Sequence, residues 1–368
     1  MHDLAVISKI QSITPIEGKD RIVLAKVENY DTIIQKDDFS VGDMCVYVFY
    51  DSILPDKPEF EFLRKRCWSE KWQGHRIRPM KMGGVVSEGL VLPMSLLPER
   101  KKGYKLGDVV TDELGIRLYD PEAQLEAKSK KSNWFLDIMM KYGWFRKLYN
   151  KYFRKQMSKG SYPAWVDKSD EENIEKVWGK ISQSPDTEYI LTEKMEGQAA
   201  SYIIDKKGKF KVFSHNCGVI SGNWVEVAKI LDIEKKMRTF CKSHKFDSLC
   251  LQGEVCGPGI QGNIYGFNGL KLFLYGGFHS DHTRLTYTEL MEFSTKSGIP
   301  TVPYLGKKKI SDFDGLDDIV KFSDGNSVFD NKGKAVPREG VVWRTEDGTI
   351  HFKNKSRQYK AWFDKKEA

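Results

Sequence analysis

Glu188-Tyr-Ile-Leu-Thr-Glu-Lys-Met-Glu-Gly-Gln-Ala-Ala-Ser-Tyr-Ile-Ile204 is the stretch on which the reading of this chain turns. Two β-prone runs, 189–192 and 199–204, flank the polar step Glu193-Lys194-Met195-Glu196-Gly197. Glycine at 197 allows a positive φ and lets a ligand approach the backbone closely. Lys194 then stands at a strand end, facing whatever the turn opens onto. A lysine so placed becomes a nucleophile when neighbouring cations or desolvation lower its pKa from about 10.4 towards neutrality. Taken alone, the stretch reads as a hairpin with a solvated lysine. Lys-x-x-Gly also occurs at Lys71, Lys81 and Lys176, so the company kept downstream must separate Lys194 from them.

Composition narrows the class. A chain of 368 residues has material for two or three domains and a buried core, and 40% hydrophobic with 30% charged residues describes an ordinary soluble protein. The formal charge of +8 tilts the choice of partner towards polyanions. No run approaches the roughly 18 apolar residues of a membrane span, and the amino terminus lacks the pattern of a signal peptide. Six cysteines without a Cys-x-x-Cys pair indicate neither a zinc site nor a disulfide framework. A cytoplasmic location, no membrane contact and no particular protein partner are the expectations.

Residues 1–116 read as β-rich. Leu4–Ile13, Arg21–Val27, Asp31–Gln35, Met44–Tyr50 and Val85–Leu92 are β-branched or aromatic runs separated by turn clusters. Short strands around a long excursion suit a small barrel of the OB type. That excursion, Glu59–Arg78, carries Arg64, Lys65, Arg66, Lys71, Arg76 and Arg78 among Phe60, Phe62, Trp68 and Trp72. Cations that track phosphates and rings that stack on bases would make it a nucleic-acid groove; an ordinary loop packed over its aromatics is the plainer reading. Residues 117–162 form a basic and aromatic helical linker or insertion, with Trp134, Phe135, Ile138, Met139 and Tyr142 at helical spacing. Helices are predicted over Asp170–Ile181, Val225–His244 and Tyr287–Gly298, and strands dominate the rest of 163–368.

Four further segments follow Lys194. Val212-Phe-Ser-His-Asn216 offers Ser214 and Asn216 as polar contacts. Leu249–Glu254 ends an apolar run in a carboxylate. On Lys271–Tyr275, Phe273 and Tyr275 share one face by period-two alternation. Arg338–Val342 and His351–Lys355 complete the series, and Lys353 and Lys355 also share a face, so both can reach one phosphate. A lysine nucleophile, carboxylates for a hydroxyl or hydrated metal, an aromatic for a base and paired lysines for a phosphate are the parts of a nucleotidyl-transfer pocket.

On these segments the sequence resembles the covalent nucleotidyltransferases, the polynucleotide ligases and RNA capping enzymes. The matching motifs are Lys194-Met-Glu-Gly197, Gln252-Gly-Glu254, Lys271–Tyr275, Glu339-Gly-Val-Val342 and Phe352-Lys-Asn-Lys355. The amino-terminal half is similar to the OB domain of the Deinococcus-type ATP-dependent RNA ligases, which place that module before the ligase domain. The resemblance implies an α+β fold: an OB β-barrel followed by an antiparallel-sheet, ATP-grasp-like ligase domain over 163–368, with no further domain after it.

It further implies that Lys194 takes AMP from ATP with Mg²⁺ or Mn²⁺. Glu196 and Glu254 would contact ribose or metal, Glu339 would serve the metal, and Lys353 and Lys355 would hold the phosphate. Thr192, Glu193, Gly197 and Val341 are further nucleotide contacts, and either Phe273 or Tyr275 stacks on adenine. The partner is RNA or a nicked duplex containing it. Two departures stand out: His215 follows Ser214 where related ligases often carry arginine, and the motif that orients pyrophosphate in DNA ligases has no room here. A capping-type guanylyltransferase and a catalytically idle RNA-binding protein are the alternatives.

Overall fold

The structure is a computed structural model that describes residues 3–99, 103–119, 162–167, 171–215 and 217–367. The aromatic and basic segment expected to form a helical linker falls almost entirely outside them. The chain divides into two compact units, Met1–Ser132 with Lys360–Ala368, and Asn133–Tyr359.

The first unit is built from short antiparallel strands: β1 (Ala5–Lys9), β2 (Ser12–Pro15), β3 (Ile22–Val27), β4 (Tyr30–Gln35), β5 (Met44–Val48) and β6 (Ser52–Leu54) come first. After a one-turn helix α1 (Arg64–Cys67) come β7 (Trp68–Ser69), β8 (Gly74–Ile77), β9 (Met80–Met82), β10 (Val85–Ser87) and β11 (Leu90–Pro93), then α2 (Thr111–Leu114) and β12 (Arg117–Leu118). Their sheets run β1-β5-β11, β2-β3-β4, β10-β9 and β12-β6-β8-β7. β3 and β4 alternate strictly between buried positions and half-buried or exposed ones, as one-sided strands must. β5 is buried on both faces: Val46 and Val48 join one core with Leu4, Ile7 and Leu92, while Cys45 and Tyr47 join another with Val23, Val27 and Tyr30. The Glu59–Arg78 excursion is therefore not a free loop, since its second half supplies β7 and β8. Lys360, in this unit, forms a buried ion pair with Glu88.

The second unit holds α3 (Ile174–Ile181), β13 (Glu188–Lys194), β14 (Gln198–Ile204), β15 (Phe210–Ser214), β16 (Gly218–Val219), α4 (Asn223–Ile230), α5 (Ile233–His244) and β17 (Leu249–Cys256). β18 (Lys271–His279), α6 (Tyr287–Ser297), β19 (Tyr304–Lys309), α7 (Leu316–Phe322), β20 (Asn326–Asn331), β21 (Lys334–Pro337), β22 (Gly340–Arg344) and β23 (His351–Lys355) follow, and α8 (Arg357–Glu367) starts in this unit. Two antiparallel sheets carry it, β16-β15-β14-β17-β18 and β19-β13-β22-β23. Helices α4, α5 and α6 cover one face of the first through Tyr202, Leu251, Leu274, Phe240 and Phe293. Helices α3 and α7 cover one face of the second through Ile174, Ile319, Leu191, Trp343 and Phe352. The predicted 287–298 helix forms with a Thr286–Glu289 capping box at its start and Gly298 in the left-handed conformation at its end. The architecture is mixed α+β, and no helix among the described residues is long and apolar enough to cross a membrane.

Candidate active site

Strand register builds the site. Directly paired residues of antiparallel strands share a face, and three rows cross β13, β22 and β23: Lys194–Gly340–Lys355, Thr192–Val342–Lys353 and Ile190–Arg344–His351. All three lysines named from the sequence thus lie on one face of one sheet. Gly340 separates Lys194 from Lys355 without a side chain, and a Cβ there would strike the Asn354 carbonyl. The opposite face is core. Asn354, between the two late lysines, is fully buried there, accepting from Trp343 Nε1 at 2.8 Å and donating to the Ile319 carbonyl at 2.8 Å.

The electrostatics differ from expectation. Burial alone would depress the Lys194 amine, but Glu339, Glu196 and Glu254 together outweigh it and raise its pKa above the ordinary lysine value. Its Nζ lies 2.6 Å from Glu339 Oε1. A nucleophilic lysine is expected to carry a lowered pKa, and the sequence does not show that Glu339, Glu196 and Glu254 outweigh burial here. Burial, reinforced by Glu339, pushes the Glu196 carboxyl up to about 7. Glu196 is held at both ends: its N–H donates to Tyr265 Oη at 2.8 Å, and its carboxylate accepts from Tyr359 Oη at 2.7 Å. Lys353 is brought down to about 8 by burial and by the ammonium groups of Lys355 and Lys194. Half-buried Glu171 is drawn down to about 2 against the effect of burial by Arg344 and Lys353.

The other sheet brings up the remaining carboxylate. Glu254 on β17 pairs with Ala199 on β14 and Phe273 on β18. Gly197 lies against β17, and it is not among the glycines of positive φ. Lack of space, not backbone freedom, requires glycine here: a Cβ would fall 2.6 Å from the Val255 carbonyl oxygen. A bulge between Gln252 and Gly253 separates the two candidate aromatics. Phe273 is buried among Phe267 and Phe329. Tyr275 is half-buried, with the Arg344 guanidinium 5.5 Å from its ring centre, and lines a cavity with Thr192, Gln252, Arg284, Val302 and Arg344. Thr192 Oγ1 is buried there and meets no hydrogen-bond partner among the described residues.

Two expected nucleotide contacts turn away. Val341 packs into the core on the opposite face, because strand alternation gives the site side to Val342. The Glu193 side chain also leaves that face and accepts from the Val328 N–H at 3.1 Å. Ser214 is buried and hydrogen-bonds Cys217, and Asn216 lies outside the described residues. In the first unit Arg64 is engaged by Asp56 and by Glu61, the latter at 2.7 Å. Arg66 donates to Met82 Sδ at 2.9 Å, and Arg76 stacks 3.6 Å from the Tyr119 ring centre. Lys65 is exposed and Arg78 half-buried. Phe60 is core, Trp68 packs on His75 and Trp72 on Tyr119, so those rings pack in the fold and Phe62 alone of the four is largely exposed.

The carboxylates suit a hard divalent cation. Glu339 Oε2 is buried with no hydrogen-bond partner among the described residues. Those residues contain no group of three side chains placed to ligate a metal. Sequence reading missed Tyr359, Tyr265, Val342 and the Glu171–Arg344 pair. Alternation around Val341 could have found Val342; nothing local in the sequence marks the others.

A nucleotidyltransferase is the class that this fold and site define. Residues 187–363 match the family model described as RNA ligase, and residues 4–94 match an OB-fold domain. The chain carries an RNA ligase domain behind an amino-terminal OB-fold domain. Among solved structures it is similar to a Naegleria gruberi RNA ligase variant with AMP and Mn, at 25% identity over 98% of both chains and a TM-score of 0.77. The same enzyme with PPi matches at 25% identity over 98% of both chains, TM-score 0.77. A further variant of it with ATP and Mn matches at 24% identity over 100% of both chains, TM-score 0.78. No curated protein sequence matches the chain.

Proposed function

We propose that the protein is an ATP-dependent RNA ligase, with the domain order of the Deinococcus-type enzymes, that joins a 3′-hydroxyl RNA end to a 5′-phosphate at nicks in duplexes. Lys194 Nζ attacks the α-phosphorus of ATP, a P–N bond forms, and pyrophosphate leaves. AMP then passes to the 5′-phosphate, and the 3′-hydroxyl displaces it as the phosphodiester forms. The observation that carries this reading is the row Lys194–Gly340–Lys355, with Glu339 2.6 Å from the Lys194 amine. A phosphate lies over the backbone at Gly340, where no side chain intervenes and Lys355 and Lys353 balance its charge. Glu196 and Glu254 face the ribose, and Tyr359 fixes Glu196. Tyr275 and Val342 present the surfaces between which adenine stacks, and Thr192 Oγ1 offers the base edge its unsatisfied hydroxyl. Mg²⁺ or Mn²⁺, held by Glu339 and Glu254, would supply charge neutralisation at the phosphates. The ligase-bound AMP, ATP and PPi of the Naegleria structures support the choice of nucleotide.

The test is incubation with α-labelled ATP or GTP, followed by sealing of a nicked duplex with an RNA 3′-hydroxyl strand. An acid-labile AMP adduct forms on the wild type and disappears in Lys194→Ala. Label from GTP but not ATP would convert the reading to a guanylyltransferase. An adduct that persists without Lys194 would remove the nucleophile assigned here.

A further inference from the structure

Residues 206–245 hold ten lysines and arginines against three carboxylates, in a chain whose formal charge is +8. Apart from the short stretch at Ser214 and Asn216, the candidate site makes no use of this segment. The fold ties its two most basic parts together. In the turn joining β14 to β15, Asp205 Oδ1 accepts from the N–H groups of Lys207 and Lys209 at 3.0 and 2.9 Å, which leaves Lys206, Lys207 and Lys209 exposed. On α5, Lys235, Arg238 and Lys242 are exposed at spacings of three and four residues, one stripe of the helix. Arg238 Nη2 donates to the Gly208 carbonyl at 2.8 Å and pins turn to helix. Lys211 pairs with Asp205 and Arg238 with Glu234, yet the surplus remains strongly positive.

Like charges held this close repel one another, and an extended polyanion that displaces its own counterions relieves them. The placement is also informative. β14 starts at Gln198, next to the residue paired with Glu254, and six steps along it at about 3.3 Å each put the turn about 20 Å from that carboxylate. We propose that the 206–209 turn and the exposed stripe of α5 form a second RNA-contact surface, which grips the phosphate backbone of a duplex arm away from the joined ends. This rests on the ligase reading and adds to it where the substrate lies. The contacts are ammonium to phosphate, so they are indifferent to sequence.

The test uses the full-length protein and a 5′-phosphate nicked duplex, with either long arms or arms cut to about six base pairs. In the variant Lys206→Gln/Lys207→Gln/Lys209→Gln, the slope of log affinity against log salt should fall by about 2–3 on the long-armed duplex, at about 0.9 per lost phosphate contact. Affinity at physiological salt should drop at least tenfold, the short-armed duplex should show little change, and labelling of Lys194 by ATP should equal the wild type. Should labelling fall too, the pair Lys235→Gln/Lys242→Gln, which leaves the turn intact, repeats the measurement from the helix side. Unchanged slope and affinity on the long-armed duplex in both variants would overturn the surface. So would loss of binding to anionic lipid vesicles with nick binding untouched. Absence of any Lys194 adduct in the wild type would strike at the ligase reading instead, and the salt slope would still decide whether this surface holds nucleic acid.

Discussion

Replacing Gly197 by alanine puts the packing of the site to its sharpest test. The added Cβ would lie 2.6 Å from the Val255 carbonyl oxygen, 2.8 Å from Glu254 Cγ and 2.9 Å from Cys256 Sγ, where ordinary contact begins near 3.4 Å. Two of these atoms can shift with their side chains; the carbonyl cannot, because β17 is hydrogen-bonded between β14 and β18. The turn must therefore lift off β17. Overpacking of this kind costs about 1–3 kcal/mol. For a unit of roughly 200 residues that lowers Tm by about 2–12 °C. The larger effect is on chemistry, since the lift carries Lys194 and Glu196 away from Glu254. A misplacement of about 1 Å can cost about a hundredfold in rate. Single-turnover transfer of labelled AMP to Gly197→Ala should be slower by that order while the protein stays folded by circular dichroism. Wild-type Tm together with wild-type labelling would refute the close-packing argument. A variant that is destabilised yet labels normally would show that the turn and β17 need not keep their spacing for the reaction.

Tyr359→Phe removes a hydrogen bond to the half-buried Glu196 carboxylate, worth about 1.5–3 kcal/mol, so Tm should fall by about 3–12 °C and labelling of Lys194 should slow while the protein stays folded; an unaltered rate would leave Tyr359 without a positioning role. Arg344→Ala strands the half-buried Glu171 carboxylate and should destabilise the second unit by about 1–3 kcal/mol, below the roughly 3–5 kcal/mol of a fully buried pair, read from urea midpoints, with a smaller penalty in Arg344→Ala/Glu171→Gln. His75 is fully buried and neither ring nitrogen meets a partner among the described residues, so burial, aided by Arg64, lowers its pKa below the unfolded value of about 6.5. Its neutral form is the folded one. Its contribution to stability is complete above about 6.5 and is lost as pH falls through that value to the folded pKa, and a His75→Asn variant whose stability fell as steeply with acid as the wild type would assign the slope elsewhere.

Much of the fold was legible because it rests on short-range rules. The alternation in Ile22–Val27 and Tyr30–Gln35 is strict, and Thr286, Glu289 and Gly298 mark both ends of α6 in the sequence itself. The motif lysines could be placed on a common face by counting in twos, which is all that register requires once β13, β22 and β23 are neighbours. Counting fails where a strand is irregular or where both faces are buried. The bulge on β18 is why alternation could not choose between Phe273 and Tyr275, and burial on both sides is why Val341 looked as good as Val342. In Glu59–Arg78, interleaved cations and rings looked like a groove, yet Arg64 answers Asp56 and Glu61, and Trp68 answers His75. Those partners are invisible in composition because pairing depends on which strands meet.

The sign of the Lys194 shift shows how far order along the chain falls short of distance. From the sequence, a nucleophilic lysine at position 194 calls for neighbouring cations or desolvation to lower its pKa. On the sheet, Lys353 stands one row away from Lys194, and Gly340 separates Lys194 from Lys355, while Glu339 follows the chain into contact with the amine. Burial and the neighbouring cations depress Lys353, to about 8, while the carboxylates outweigh burial at Lys194 and favour its protonated form. An amine in that state has no lone pair to offer phosphorus. In the proposed reaction Lys194 would become a nucleophile only when a cation entering with the nucleotide offsets the charge on Glu339, Glu196 and Glu254, whereas the phosphates themselves favour the protonated form of Lys353. On that reading the two amines respond to opposite charges of one incoming complex, Lys194 to its cation and Lys353 to its phosphates, and the amine at position 194 would stay protonated until both are in place.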